Sequence, residues 1–169
     1  MSPRYGASVR EELIVIDVES LLAGVVAPDV DELPDAEVAL MVVEVRRLVD
    51  ATDALWSRLL AEFDRRELWR LDGARSAAAW LRRECRLVHP TTATALVVAR
   101  AARALPASGA AFRAGNISFE HLRAIAPAAT PQRREVALRA DPIFARAAVW
   151  MNPRQMGNVV RTWLQLAGE

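Results

Sequence analysis

The spacing of apolar residues predicts a chain made of helices. Apolar positions recur three and four residues apart along most of the chain, which is the spacing of one face of an α-helix. The second half shows no alternation typical of strands, so the predicted fold class is all-α, a multi-helix bundle. The longest apolar stripe predicts a helix over about 35–67 and consists of Val38, Met41, Val45, Leu48, Thr52, Leu55, Leu59 and Phe63.

A stripe of this length is close to the seam of a coiled coil. It therefore requires a partner helix, which comes either from elsewhere in the chain or from a second copy. Residues 9–26 favour an earlier helix, although the run LIVIDV within them is also compatible with a strand. An acidic connector rich in proline follows over 27–35, and Asp35 in it is a good N-cap.

Proline, glycine and capping residues predict a succession of shorter helices in the second half. The whole chain, 1–169, is expected to form a single helical domain, with acidic helices over 9–67 and basic helices over 69–166. The predicted shorter helices cover 76–86, 90–105, a segment from Pro106 to Gly115, a segment carrying Phe119, Leu122 and Ile125, and then 131–140, 142–151 and 153–166.

The stretch WRLDGARSAAAWL, residues 69–81, predicts a corner between two helices. Asp72-Gly73 favours a turn, because glycine tolerates positive φ and aspartate can bond to its own backbone. Ser76 is placed to cap the next helix, while Trp69 and Trp80 are expected to close the corner as core residues. A reactive Asp72–Ser76 pair is far less favoured, since no histidine is near in sequence.

Composition indicates a globular protein with few reactive groups. Hydrophobic residues make up 53% and charged residues 25% of the 169 residues, which is typical of one folded domain. Cys85 is the single cysteine, so an internal disulfide is excluded and a reducing cytoplasm is the expected location. No apolar run approaches the ~20 residues of a membrane-spanning helix, so no membrane association is expected.

The net charge of +1 conceals two oppositely charged parts. Residues 1–64 hold 5 arginines and 14 acidic residues, whereas residues 65–169 hold 17 arginines and 7 acidic residues. This asymmetry favours either a second part that binds a polyanion or packing of the two parts against each other. All 22 basic residues are arginine, and a guanidinium group matches phosphate well.

The predicted helices 76–86 and 90–105 resemble a helix-turn-helix pair, which suggests double-stranded DNA as a partner. Threonines that begin a recognition helix can contact phosphates or base edges, while arginines neutralise the backbone. The usual turn glycine is absent, and a solvated basic face, or one paired with the acidic helices, remains the alternative. The candidate nucleic-acid contacts are Arg82, Arg83, Arg86, Thr91, Thr92, Arg100 and Arg103.

The sequence offers few candidate catalytic or metal-binding residues. His89 and His121 are the only histidines, and no CxxC pair, HExxH motif or glycine-rich phosphate loop occurs, so neither a metal nor a cofactor is expected. His121 lies three residues after Ser118. A Ser–His–acid arrangement is conceivable there, but a capping serine followed by a surface histidine is favoured.

One combination of residues extends over about 65–127: Trp69, Asp72, Gly73, Ser76, Trp80, Leu81, Ala99, Arg100, Leu105, Pro106, Gly115, Ile117, Ser118 and His121. In this combination, and in the long helix that precedes it, the chain resembles the domain-of-unknown-function 222 family, also called the thirteen-E-twelve repeat proteins of GC-rich bacteria. In that family the helical domain is commonly the N-terminal part of a longer protein that ends in an HNH endonuclease domain. The resemblance therefore implies a helical domain from a mobile-element nuclease lineage.

This chain lacks the His-Asn-His set of such nucleases, so it is expected to have no enzymatic activity of its own, as a stand-alone or truncated member. The predicted function is a non-catalytic module that contributes DNA binding or targeting. The alternative is a protein-interaction domain that uses helix 35–67 to bind a nuclease partner or a second copy. The DNA hypothesis fails if its arginines are already paired with the chain's own acidic segment.

Overall fold

The computed structural model describes residues 29–167, and in this range the protein is helical without any strand. The predicted all-α class is therefore confirmed. The predicted helix over 9–26 lies outside the described residues. None of the described helices is long and apolar enough to cross a membrane. The helices are α1 (Asp35–Arg65), α2 (Ala77–Glu84), α3 (His89–Ala104), α4 (Pro106–Arg113), α5 (Phe119–Ile125), α6 (Arg134–Trp150) and α7 (Pro153–Leu166), with 3-10 turns at Val30–Glu32, Leu68–Asp72, Ala126–Ala128 and Pro131–Arg133.

The chain forms two compact units, Met1–Glu44 and Val45–Glu169, and the boundary between them falls inside α1. No proline or glycine marks this boundary in the sequence. The described part of the first unit holds one 3-10 turn and the first turns of α1, where Asp35 is the first helical residue and not the predicted N-cap.

The core of the second unit consists of two clusters of buried apolar side chains. The larger cluster joins α3 to α7, and its largest fully buried members are Phe112, Leu105, Leu122, Ile125 and Met156. The smaller cluster joins the end of α1 to α2 and α3 and contains Leu60, Ala61, Ala77, Leu81, Ala95, Leu96 and Ala99.

Helix α1 is buried on a different face from the predicted one. Its buried residues are Ala54, Ser57, Leu60 and Ala61, which also follow a three-and-four spacing. This face was not evident in the sequence, because alanine and serine rank low in hydropathy. The seam predicted from larger side chains is solvent-exposed at Val45, Leu48, Leu55 and Leu59.

The predicted corner at residues 69–81 is confirmed. Gly73 ends the 3-10 turn with a φ of 67°, and the Ser76 hydroxyl caps α2 by accepting a hydrogen bond from the Ala79 N–H at 3.1 Å. Trp69 and Trp80 pack against the smaller cluster, and the Trp80 ring lies 4.6 Å from that of Phe63. These motif residues therefore build a joint.

The predicted break between helices 131–140 and 142–151 is wrong. Residues Arg134–Trp150 form one helix with Pro142 inside it. An internal proline removes one hydrogen bond and crowds the carbonyl four residues before it. Here the neighbouring side chains of Asp141, Phe144 and Ala145 are buried, so tertiary packing holds the helix together across the proline.

Asp141 explains the start of α4 at the Leu105-Pro106 motif. The first N–H groups of a helix have no partner within it. The buried carboxylate of Asp141, on α6, accepts hydrogen bonds from the N–H groups of Ala107 at 2.6 Å and Ser108 at 3.0 Å, and from the Ser108 hydroxyl. One helix thus caps another helix 33 residues away in the chain.

Ser118 is the capping residue of α5, as predicted. The prediction of a surface histidine is wrong, because His121 is half-buried and joins α5 to the segment after α6. Its Nδ1 accepts hydrogen bonds from the Ser118 N–H at 3.2 Å and the Ser118 hydroxyl at 2.8 Å. Since an accepting Nδ1 carries no proton, Nε2 carries it and donates to the Met151 carbonyl oxygen at 2.8 Å. Nε2 therefore contacts a main-chain carbonyl oxygen. In a catalytic triad, the ring nitrogen that does not face the serine contacts a carboxylate.

We expect His121→Ala to lower the free energy of unfolding by about 2 kcal/mol, because it leaves half-buried backbone groups of Ser118 and Met151 without partners. Thermal melting followed by circular dichroism measures this change. His89→Ala is the matched control. The His89 side chain is exposed, and among the described residues its ring forms a hydrogen bond with the Arg82 guanidinium alone, so we expect a loss below about 0.5 kcal/mol. Similar losses of unfolding free energy in both variants would contradict a structural role for the His121 hydrogen bonds.

Candidate anion-binding surface

The structure divides the predicted nucleic-acid face into separate parts. On α2, Arg82 contacts the Nδ1 atom of His89 at 3.2 Å. Arg83 forms ion pairs with Asp72 and Glu84. Arg86 lies beyond the end of α2 in a left-handed conformation with a φ of 56°, and it forms no ion pair with any other described residue.

The threonines do not support the predicted contact. Thr92 is fully buried and its hydroxyl donates to the His89 carbonyl oxygen at 2.8 Å, so the prediction that it contacts nucleic acid is wrong. It lies on the inner face of α3, one turn before Ala95. Thr91 is exposed, but the depression that it lines holds two carboxylates, Asp53 and Glu120, and one arginine, Arg123, which pairs with Glu120. This lining gives a phosphate no net positive charge to bind.

Arg100 and Arg103 instead lie in a depression of about 650 Å³ that they share with two arginines distant in sequence, Arg65 and Arg134. These side chains come from the end of α1, from α3 and from the start of α6. Apolar residues form the remaining lining, and Asp64 is the one carboxylate among the lining residues. The apolar part of this lining is Ala61, Ala104, Leu105, Pro106, Ala129, Pro131, Ala137 and Leu138.

A second depression of about 430 Å³ adjoins the first, because Ala61 and Arg103 line both. It adds three further arginines and one carboxylate, that of Glu62. We call the two depressions together the arginine groove. Its charged residues are the arginines Arg58, Arg65, Arg66, Arg100, Arg103, Arg113 and Arg134 and the acids Glu62 and Asp64.

Two carboxylates neutralise part of this charge. Arg65 and Arg66 both donate to Glu62, and these hydrogen bonds lower its pKa to about 2, so that this carboxylate is ionised at neutral pH. Arg100 donates from Nε to Asp64 at 2.8 Å. The chain's acids thus engage some of the arginines predicted to bind DNA, Arg83 and Arg100 among them, and leave others unpaired.

The unpaired groups give the groove its net positive charge. Within residues 29–167, no ion pair is formed by Arg58, Arg103, Arg113 or Arg134. Thr130 also lines the larger depression, but its hydroxyl oxygen is buried and is not accessible from it. The groove therefore presents cations that the described acids leave unpaired.

The depression beside Thr91 has a different character. Asp53 and Glu120 line it together with Cys85, and burial raises the pKa of Asp53. Burial, and then the charge of Glu84, raises the pKa of the Cys85 thiol, so it lacks the lowered pKa of a reactive cysteine. Among the described residues, no group of three histidine, cysteine or acidic side chains is arranged to hold a metal ion.

Sequence reasoning found two of the seven groove arginines, Arg100 and Arg103. The excess of arginine after residue 64 indicated a basic surface, but not which side chains share it. Arg65 and Arg134 are almost seventy positions apart, and only the packing of α6 near the end of α1 brings them to one depression.

Fold and surface together define an all-α helical domain with an arginine-lined groove. The chain belongs to the DUF222 family, which is described as a domain of unknown function; the family model matches residues 35–165. The match confirms the resemblance, and it runs from the first residue of α1 into α7. No curated protein matches the chain, and no solved structure matches it either.

Proposed function

We propose that this domain is a non-catalytic module that binds the phosphate backbone of double-stranded DNA in the arginine groove. The observation that carries the proposal is the convergence of seven arginines on two adjoining depressions, four of them without an ion pair among the described residues. Guanidinium groups bind phosphate oxygens through paired, charge-assisted hydrogen bonds. Contacts of this kind fix a protein on DNA without reading its sequence.

The ion pairs inside the groove do not prevent this binding. Arg100 is engaged by Asp64, whose side chain is only 20% exposed. Arg103 and Arg134 form no ion pair within residues 29–167, so a phosphate that approaches these two arginines has no described ion pair to displace.

The test is fluorescence anisotropy with labelled duplex DNA at two salt concentrations. Wild-type protein is expected to bind at low salt and to weaken as salt rises, because each neutralised phosphate releases counterions. The variant Arg103→Ala/Arg134→Ala is expected to bind on the order of tenfold more weakly at low salt. Its slope of log K against log salt should become less negative by about 2, since each phosphate contact contributes ~0.9.

Arg139→Ala/Arg146→Ala is the matched control. Both residues are exposed on α6 and line neither depression, so the variant removes the same charge outside the groove. An equal loss in this control would show that binding depends on overall charge. If a variant with Arg82, Arg83 and Arg86 all changed to alanine lost more DNA affinity than the Arg103/Arg134 variant, the interface would lie on and after α2 and not in the groove. Absence of binding by the wild type at low salt would refute the proposal.

A further inference from the structure

Asp64 is a carboxylate inside the arginine groove whose position the local sequence does not explain. It lies in the last turn of α1, where the partial negative charge of the helix end disfavours a carboxylate. It also lines the larger depression, where it repels phosphate. Its ion-pair partner within residues 29–167 is Arg100, which lies on α3 and 36 positions further along the chain. The charge of Asp64 is therefore matched to Arg100 and not to its own helix.

The contact between Asp64 and Arg100 lies in a partly desolvated site. The Nε of Arg100 donates to the Asp64 carboxylate at 2.8 Å, and the Asp64 side chain is only 20% exposed. If Arg100 turned to a phosphate, this carboxylate would remain poorly solvated, without its partner and next to a second anion. Leaving a partly buried charge unpaired costs more than separating an exposed pair. A phosphate therefore binds Arg100 only by displacing Asp64 at this cost.

Glu62 engages two further arginines of the groove. Its carboxylate accepts hydrogen bonds from Nε and Nη2 of Arg65, the first at 2.9 Å, and a third from Nε of Arg66 at 2.6 Å. These bonds hold the pKa of Glu62 at about 2, so the carboxylate is charged at neutral pH. The Nε and Nη2 atoms form the guanidinium edge that binds two oxygens of a carboxylate or a phosphate. Glu62 therefore occupies an edge that a phosphate would otherwise bind.

We propose that Glu62 and Asp64 are built-in competitors for phosphate, which withhold three of the seven groove arginines from DNA. The inference rests on the proposed function, because it concerns the regulation of the same groove. The other four arginines form no ion pair within residues 29–167, so they make the first phosphate contacts. The groove then holds fewer phosphates than its arginine count allows, and each contact that is not made weakens DNA binding.

The first experiment measures DNA anisotropy at two salt concentrations for Asp64→Ala and Glu62→Ala, after thermal melting has shown that both variants are folded. Both are expected to bind labelled duplex DNA more tightly than the wild type at low salt, because each releases arginines. The slope of log K against log salt should become more negative by about 1 for Asp64→Ala and by about 2 for Glu62→Ala, since each additional phosphate contact contributes ~0.9. Asp64→Asn, which keeps the shape of the side chain without its charge, should change the affinity in the same direction by a smaller amount.

Glu120→Ala is the matched control for the loss of one carboxylate. Glu120 is exposed, pairs with Arg123 at 2.9 Å and lines neither depression of the groove. The variant removes the same charge and releases one arginine, but outside the groove, so its salt slope should equal that of the wild type. An equal steepening in this control would overturn the proposal, because DNA binding would then follow overall charge.

The second experiment separates occupation of Arg100 from simple repulsion by comparing Asp64→Ala in two backgrounds. In an Arg100→Ala background the loss of Asp64 releases no arginine, so the salt slope is expected to stay that of the Arg100→Ala protein. The same steepening in both backgrounds would show that Asp64 acts through its charge alone, and would overturn its role as a competitor for Arg100.

Failure of this inference is distinguishable from failure of the proposed function. If neither the wild type nor any variant binds DNA at low salt, the proposed function is refuted, and the competition with it. If the wild type binds DNA but Asp64→Ala and Glu62→Ala bind no more tightly, the competition alone is overturned and binding in the groove stands.

Discussion

Replacing Asp141 with alanine is expected to lower the free energy of unfolding by about 4 kcal/mol. The substitution removes the acceptor for two N–H groups of α4 and for the Ser108 hydroxyl, all at a site where the carboxylate is buried. A buried donor left without a partner costs about 1–3 kcal/mol. For a domain of this size the midpoint of thermal unfolding should fall by about 10 °C.

Two further variants show whether the cap causes this loss. Asp141→Asn keeps one oxygen acceptor but puts an amide in place of the second, so we expect about half the loss of the alanine variant. Glu135→Ala removes an exposed carboxylate from the first turn of the same helix and should cost less than about 1 kcal/mol. An alanine variant as stable as the Glu135 control would show that α4 does not depend on Asp141.

Gly109→Ala is the second change with a large expected effect. Gly109 is buried in α4 where this helix meets the end of α3. A Cβ atom at this position would lie 2.1 Å from the carbonyl oxygen of Ala102 and 3.1 Å from its carbonyl carbon. Both atoms are main chain, so the helices must move apart, and we expect a loss of about 3 kcal/mol in chemical denaturation.

Gly157→Ala provides a control with the opposite expected sign. Gly157 also lies inside a helix, α7, but a Cβ atom there would meet only the Ala124 Cβ at 3.9 Å, which is an ordinary contact. Alanine loses less backbone entropy than glycine on folding, so this variant should be more stable by about 0.5–1 kcal/mol. Destabilisation in both variants would show that loss of helical glycine, and not the Ala102 contact, is responsible.

The motif residues shared with the family lie at joints between helices. Gly73 and Ser76 form the corner before α2, Gly115 ends α4 with a φ of 73°, and His121 fastens α5 to the turn before α7. Among the matching residues, Arg100 is the one charged residue that lines the arginine groove, and Ala99, Leu105 and Pro106 belong to its apolar lining. Most of the matching residues therefore have structural roles at helix ends. Anion binding in the groove is inferred from its arginines and not from the family match.

Local rules in the sequence were sufficient for most helix positions. Proline at the first turn, serine at N-caps and glycine after helix ends act within a few residues, so they can be recognised in a single chain. Pro106, Ser118 and Gly115 all have the roles predicted from the sequence. The corner at residues 69–81 was recognised in the same way.

The tertiary structure decided every feature that depends on residues distant in the chain. It placed Ala54 and Ala61 inward and left Leu48 and Leu55 exposed, because helix packing selects the face that fits and not only the most apolar one.

The same reason applies to Asp141 and to the arginines. A carboxylate that caps a helix 33 residues away, and a groove that joins Arg65 to Arg134, arise from contacts between helices. The sequence by itself determined that this protein is a set of capped helices with a basic second part. Only tertiary packing decided which arginines share a depression and which face of α1 is buried, since both depend on how the helices lie against one another.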